Sequence, residues 1–153
     1  MTQGEDRSCF TIGVFQDSVW AERGLEALKG KGFEVKSLSV LAKQSAEVAS
    51  LVQRALGVDP TEVEVAGLGT TIVSGSLVGA LQGSDEALGR TGIAATIRRA
   101  GFQVHDGVIF ETLTSRGGVL VSVESEPLAA DALTLFHAYG GGNAAIGAWT
   151  GRV

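Results

Sequence analysis

The side chains best suited to catalysis or metal binding lie close together in the second half of the chain. His105, Asp106 and Glu111 bring together an imidazole and two carboxylates, which can bind a metal ion or transfer a proton. His105 and Asp106 stand at the start of a predicted helix, Val104–Ser115, where polar residues are common. We therefore interpret them as helix-start residues rather than as metal ligands or as an acid and a base.

Hydroxyl and glycine motifs also have simpler structural interpretations. Ser74 and Ser76 lack the Gly-x-Ser-x-Gly pattern of an exposed nucleophile, and Gly67-x-Gly69 lacks the third glycine and acidic residue of a dinucleotide site. The Gly-Gly-Gly-Asn run at residues 140–143 follows a predicted helix, whereas phosphate-binding loops lead into one. The run at 140–143 therefore predicts a helix stop and a turn, and the other two motifs predict neither a nucleophile nor a dinucleotide site.

The remaining histidine and the single cysteine add no further site. His137 lies on a predicted helix as a surface residue, and Cys9 enters the first predicted strand as a small apolar residue. One cysteine excludes an internal disulfide and a multi-cysteine metal site. The sequence therefore predicts no catalytic residue, no cofactor-binding residue and no metal ligand, and indicates that the protein is not an enzyme.

Composition restricts the class of protein further. The 153 residues suit a single domain, expected over residues 9–150, and the 22 glycines are about double the usual share of about 7%. The net charge of −5 argues against nucleic-acid binding, which needs a basic surface. Met1–Ser8 is polar and acidic and has no features of a signal peptide, so a cytoplasmic location is expected.

The two ends of the chain share one pattern. Thr11–Leu41 aligns without gaps over Val119–Trp149: each has an apolar strand, a polar helix start, a helical apolar stripe, a glycine stop and a second strand. Two such β-α-β halves in one sheet make a ferredoxin-like sandwich. We therefore predict an α+β fold whose halves are Cys9–Ala42 and Val119–Thr150.

Within the first half, Cys9–Phe15 is the predicted strand and Asp17-Ser18 the helix start. The helix is expected to end at Gly32, and the second strand to run over Val35–Ala42. The second half is expected to begin with the turn Arg116-Gly117-Gly118, followed by a strand, a helix and a last strand over Ala144–Thr150. The predicted buried helical stripes are Ala21, Gly24, Leu25 and Leu28 in one half and Ala129, Ala132, Leu133 and Phe136 in the other.

A helical insert is predicted between the halves, over residues 44–115. Its first helix is Gln44–Leu56, stopped by Gly57. Val65–Ser84 carries no charged residue and is predicted to form one arm of a helical hairpin at residues 65–101, with Ala87–Ala100 as the return arm.

Small residues recur every four positions in the first arm of this hairpin: Gly67, Thr71, Gly75, Gly79 and Gly83. An isolated glycine in an exposed helix is about 1 kcal/mol less favourable than alanine, so a row of them favours close packing against another helix. We predict self-association through these residues. A hairpin that inserts into or attaches to a membrane, and one that folds onto its own domain, are the weaker alternatives.

The segments that define the two halves resemble general stress proteins of the heat-induced YflT-like type. The resemblance covers most of Phe10–Trp149, including a glycine-rich apolar insert, and its motifs are structural. It implies a stress-associated bacterial protein without a defined reaction. The matching segments are Gly13–Phe15, Ala21–Leu28, Gly32-Phe33, Leu38–Leu41 and Arg116–Val121.

These observations lead to one leading hypothesis and two alternatives. The first is a non-enzymatic stress-associated protein that forms a homo-oligomer through the Gly75-Gly79-Gly83 face. The second is a small-molecule-binding regulatory module of ferredoxin-like fold, whose ligand the sequence does not identify; this is an argument from fold analogy. The third is a membrane-associated stress protein.

Overall fold

One antiparallel sheet organises the described part of the computed structural model, which comprises residues 10–124, 134–136, 138–139 and 149–150. Within these ranges the sheet has six strands, in the order β3-β4-β2-β5-β1-β6. The strands are β1 (Phe10–Phe15), β2 (Leu38–Lys43), β3 (Thr61–Val65), β4 (Gly69–Ser74), β5 (Val119–Glu124) and β6 (Trp149–Thr150). Both β1 and β2 run antiparallel to β5, so they are parallel to each other with β5 between them.

Helices cover the sheet. They are α1 (Ser18–Gly30), α2 (Ala46–Leu51), α3 (Ser76–Gln82), α4 (Ala87–Thr91), α5 (Ile93–Thr96) and α6 (Val104–Ser115). A π-helical turn, Val52–Leu56, continues α2, and 3₁₀ turns occupy Val35–Ser37 and Ile97–Ala100. The sequence and the coordinates therefore agree on an α+β protein.

The first half folds largely as predicted. The carboxylate of Asp17 accepts a hydrogen bond from the Trp20 backbone N–H at 3.0 Å and begins α1. The predicted stripe, including Gly24, is buried. A Cβ on Gly24 would lie 2.5 Å from Cζ of Phe15, so the missing side chain lets α1 lie directly on β1. The second strand begins at Leu38 rather than at Val35, because a 3₁₀ turn precedes it.

In the second half, the structure describes both end strands and a short part of the segment between them. β5 begins at Val119 after the predicted turn, and β6 pairs with Thr11 and Ile12 of β1. Phe136, predicted as a core residue, is fully buried with its ring edge-on to Phe15 at 5.8 Å between centroids. The predictions for Cys9, Ala129, Ala132, Leu133, His137 and residues 140–148 lie outside the described residues.

The prediction that Val65–Ser84 forms one helical arm is wrong. Thr61–Val65 and Gly69–Ser74 form a β-hairpin, and only Ser76–Gln82 is helical. The residues Thr70–Val73 are a β-branched run, which favours strands, and β4 pairs with the otherwise open edge of β2. The four-residue spacing suggested a helix, but strand pairing decided the local structure.

The helical predictions elsewhere in the insert are largely confirmed. α6 spans the predicted Val104–Ser115, and the first insert helix ends at Gly57 with a φ of +69°. The return arm is helical but not continuous, because Gly92 interrupts it with a φ of +95° and separates α4 from α5.

Both faces of the central strands β1, β2 and β5 are buried by the chain itself. On β5, Val119, Val121 and Val123 pack with α1 and α2, whereas Leu120 packs with residues of α3, α4, α5 and α6. β2 divides in the same way, with Val40 on the first side. The insert therefore forms the second layer of helices instead of projecting from the fold.

Candidate functional site

The five residues predicted to mediate self-association do not form one helical face. Gly67 lies in the β3–β4 turn and Thr71 is buried in β4. Gly75 precedes α3, Gly79 lies within it and Gly83 follows it. Only Gly79 lies within a helix, so the predicted continuous stripe is wrong, and Gly79 is its one member on the outer face of α3.

Gly75 is required by the fold of the single chain. Its φ of +105° and ψ of 176° are accessible essentially to glycine alone. A Cβ there would lie 2.5 Å from the Leu38 carbonyl oxygen and 2.6 Å from Cα of Ser39. The close approach lets the buried Ser39 hydroxyl accept a hydrogen bond from the Leu77 backbone N–H at 3.0 Å, which fixes the start of α3 on β2.

Gly79 has no comparable role in the single chain. It is exposed, and in the described part of the chain a Cβ built on it would have no heavy atom within 4 Å. On the opposite side of the helix, Leu77 and Leu81 are fully buried in the core. α3 is therefore held firmly against the sheet and presents a smooth outer face at Gly79.

An ion-pair cluster holds the other end of α3. The Arg99 guanidinium donates to both carboxylate oxygens of Asp85 at 3.1 Å and to the Leu81 carbonyl oxygen at 3.3 Å. Arg90 also donates to the Asp85 backbone carbonyl at 3.0 Å. The hydrogen bond from Arg99 holds the pKa of the Asp85 carboxyl below its ordinary value, so Asp85 is ionised at neutral pH.

A second surface lies along α1 and α2, on the other face of the sheet. A depression of about 560 Å³ is lined by Val19, Glu22, Arg23, Glu26, Ala27 and Tyr139. An adjoining depression of about 370 Å³ is lined by Ser18, Val19, Glu22, Ala46, Glu47, Ser50 and Arg54. Both are open depressions of mixed charge: the first lies between α1 and Tyr139, the second between α1 and α2, and the exposed Val19 lines both.

Two arginines have distinct roles in these depressions. Arg54 binds both oxygens of Glu22, at 3.0 and 2.6 Å, which joins α2 to α1 and lowers the pKa of Glu22. The Arg23 guanidinium lies 4.9 Å from the Trp20 ring centroid in a cation–π contact. Within the described residues, Arg23 has no carboxylate partner.

His105 and Asp106 are neighbours, with 3.5 Å between Nε2 and Oδ1, but Glu111 makes separate contacts, so the three residues do not form one site. His105 is 76% exposed, and the Asp106 carboxylate accepts a hydrogen bond from the Gln103 backbone N–H as part of a helix cap. Glu111 accepts instead from the Ala94 backbone N–H at 3.0 Å, which links α6 to the start of α5. In the described part of the chain no group of three or more such residues could hold a metal ion.

Two further findings concern relatives and membranes. No family model, curated protein or solved structure matches this chain. Among the described residues, no helix combines the length and apolar character that crossing a bilayer requires.

Gly75 and Gly79 give opposite predictions for the same substitution. We expect Gly75→Ala to lower the free energy of unfolding by about 1–3 kcal/mol or more, because the backbone is strained and the Cβ meets β2. Gly79→Ala should raise it by up to about 1 kcal/mol, because alanine favours the helix. Urea unfolding of the dilute protein measures both; a similar loss in the two variants would contradict this assignment.

Asp85 gives a pH prediction. Its lowered folded-state pKa means that the ion pair with Arg99 stabilises the fold above the unfolded pKa of about 3.9, and that this contribution is lost as pH falls through the folded-state pKa. We expect Asp85→Asn to lower stability at pH 7 and the difference from wild type to shrink below about pH 4. In an Arg99→Gln background the same substitution should show little of this pH dependence; an unchanged dependence would assign it to another group.

Proposed function

We propose that this chain is a cytoplasmic, non-enzymatic, stress-associated bacterial protein with a ferredoxin-like core, which self-associates through the outer face of α3. The strand order supports the ferredoxin-like assignment. β1, α1 and β2 form a β-α-β unit with β5 between its strands, and β5 and β6 are likewise separated by β1. The β3–β4 hairpin then extends this core at the edge of β2.

The resemblance to YflT-like stress proteins is supported by what its motif residues do in the fold. Gly24 lets α1 lie on Phe15, and a Cβ on Gly118 would lie 2.8 Å from both Val14 and the Leu113 carbonyl. The motif residues therefore shape contacts between helices and strands. This role agrees with a class of proteins defined by architecture rather than by a catalytic site.

The proposal of self-association rests on the exposed position of Gly79. Glycine in the middle of an exposed helix is unfavourable by about 1 kcal/mol relative to alanine, and no heavy atom of the described residues lies within 4 Å of a Cβ built on Gly79. A second helix can approach such a surface closely, because no side chain separates the two backbones. Gly75 and Gly83 flank α3, but a Cβ on either would meet β2 or Arg99 of the same chain, so the open part of this face is centred on Gly79.

The test is the mass of the native particle. We expect Gly79→Leu to shift the species measured by light scattering towards smaller assemblies, because the leucine blocks close approach and its Cβ would have no heavy atom of the described residues within 4 Å. Gln53→Leu adds the same side chain to an exposed site beyond the other face of the sheet and serves as the control. Equal masses for wild type and Gly79→Leu would contradict the proposal.

A second candidate function is a small-molecule-binding regulatory module. The observation in its favour is the depression of about 560 Å³ beside α1, which falls within the roughly 300–1,000 Å³ of typical ligand pockets. A thermal-shift screen of nucleotides, amino acids and metal ions tests it. A ligand that raises the unfolding midpoint in wild type, but not in a Glu22→Gln/Arg54→Gln variant, would favour it; a flat screen would count against it.

A further inference from the structure

The outer face of α1 carries a regular row of exposed residues. Val19, Arg23, Glu26 and Gly30 are all exposed, and they stand four, three and four positions apart. This spacing keeps them on one side of the helix, opposite the buried stripe that packs on the sheet. Val19 is 56% exposed, so an apolar side chain begins a row that is otherwise charged or small.

This row is self-complementary when two copies of α1 run antiparallel. The midpoint between Arg23 and Glu26 is also the midpoint between Val19 and Gly30. If two copies of α1 cross antiparallel about a two-fold axis at that midpoint, each Arg23 faces Glu26 of the other copy. Each Val19 then faces Gly30, whose missing side chain leaves room for it. Such an interface uses the same patch on both subunits and closes as a dimer.

The ion pairs around α1 leave Arg23 available for this contact. Glu22, its neighbour on the same helix, forms a bidentate ion pair with Arg54 of the turn after α2. Arg23 contacts only the face of Trp20 among the described residues, and arginine can keep such a contact while its edge donates to a carboxylate.

Glu26 is similarly accessible. Its pair with Lys29 joins a single oxygen at 3.2 Å, and its side chain is 53% exposed. The second carboxylate oxygen has no partner among the described residues, so it can accept from an arginine on another chain.

We propose that this α1 face, defined as Val19, Arg23, Glu26 and Gly30, is a homodimer interface that is independent of the α3 face. The depression of about 560 Å³ beside it is lined by Val19, Arg23 and Glu26, which places the second copy's helix over an existing groove. The net charge of −5 per chain opposes association at long range, but screening within about 8 Å at physiological salt leaves the two reciprocal Arg–Glu pairs to decide the contact.

The experiment is a charge-reversal cycle, read by sedimentation equilibrium at about physiological ionic strength. Arg23→Glu places like charges opposite each other at both symmetry-related positions, as does Glu26→Arg. Each single reversal should weaken the dimer at least about tenfold. The double variant Arg23→Glu/Glu26→Arg restores opposite charges and should restore the dimer. Circular dichroism verifies that each variant is folded.

Repeating the cycle in the Gly79→Leu background separates the two interfaces. The α1 proposal expects Gly79→Leu to remain dimeric and to become monomeric after either single reversal. It is overturned if Gly79→Leu is already monomeric, if a single reversal leaves the dimer intact, or if the folded double reversal stays monomeric. If Gly79→Leu has the mass of wild type while the single reversals dissociate it, the α1 face stands and the α3 face fails.

Discussion

Burial of the central sheet on both faces is the constraint on which the rest of the structure depends. β5 lies in the middle, with β1 and β2 on either side, and its side chains alternate between two hydrophobic clusters. At roughly 25 cal/mol per Å² of apolar surface, leaving Leu120 and its neighbours exposed would forfeit several kcal/mol. The chain meets this requirement by laying α1 and α2 on one face and the insert on the other.

The position of the insert explains its irregular path. It must extend the sheet with a hairpin, leave the sheet at Ser74 and return across the face as short helices. Glycines at the turns permit the positive φ angles of this path, and polar contacts fix the two ends of α3 on its surroundings. Gly75 and Gly79, four positions apart, therefore have different roles: one shapes a junction and the other leaves a surface bare.

Covering both sheet faces also determines what the protein can present to a partner. The apolar strand faces, through which antiparallel sheets often associate, are occupied by the chain's own helices. Among the described residues, the outer sides of helices such as α1 and α3 are exposed. The edge strand β3 exposes Glu62 and Glu64, so like charges disfavour edge-to-edge pairing of two copies. Both self-association proposals therefore rest on contacts between helical faces.

The sequence by itself determined the β-α-β pattern of the first half, the limits of α6 and the stripe of α1, because these elements follow local apolar periodicity and polar helix starts. It also placed the glycine stop at Gly57. Only the tertiary structure decided the secondary structure of residues 65–84. There, regular glycine spacing matched a helix, whereas pairing of β4 with the edge of β2 imposed a strand. The physical reason is that β pairing joins segments that are distant in sequence, so a local sequence pattern cannot predict it. For the same reason the grouping of Val19, Glu22 and Arg54 into one groove could not be read from the chain, since it depends on how α2 packs against α1.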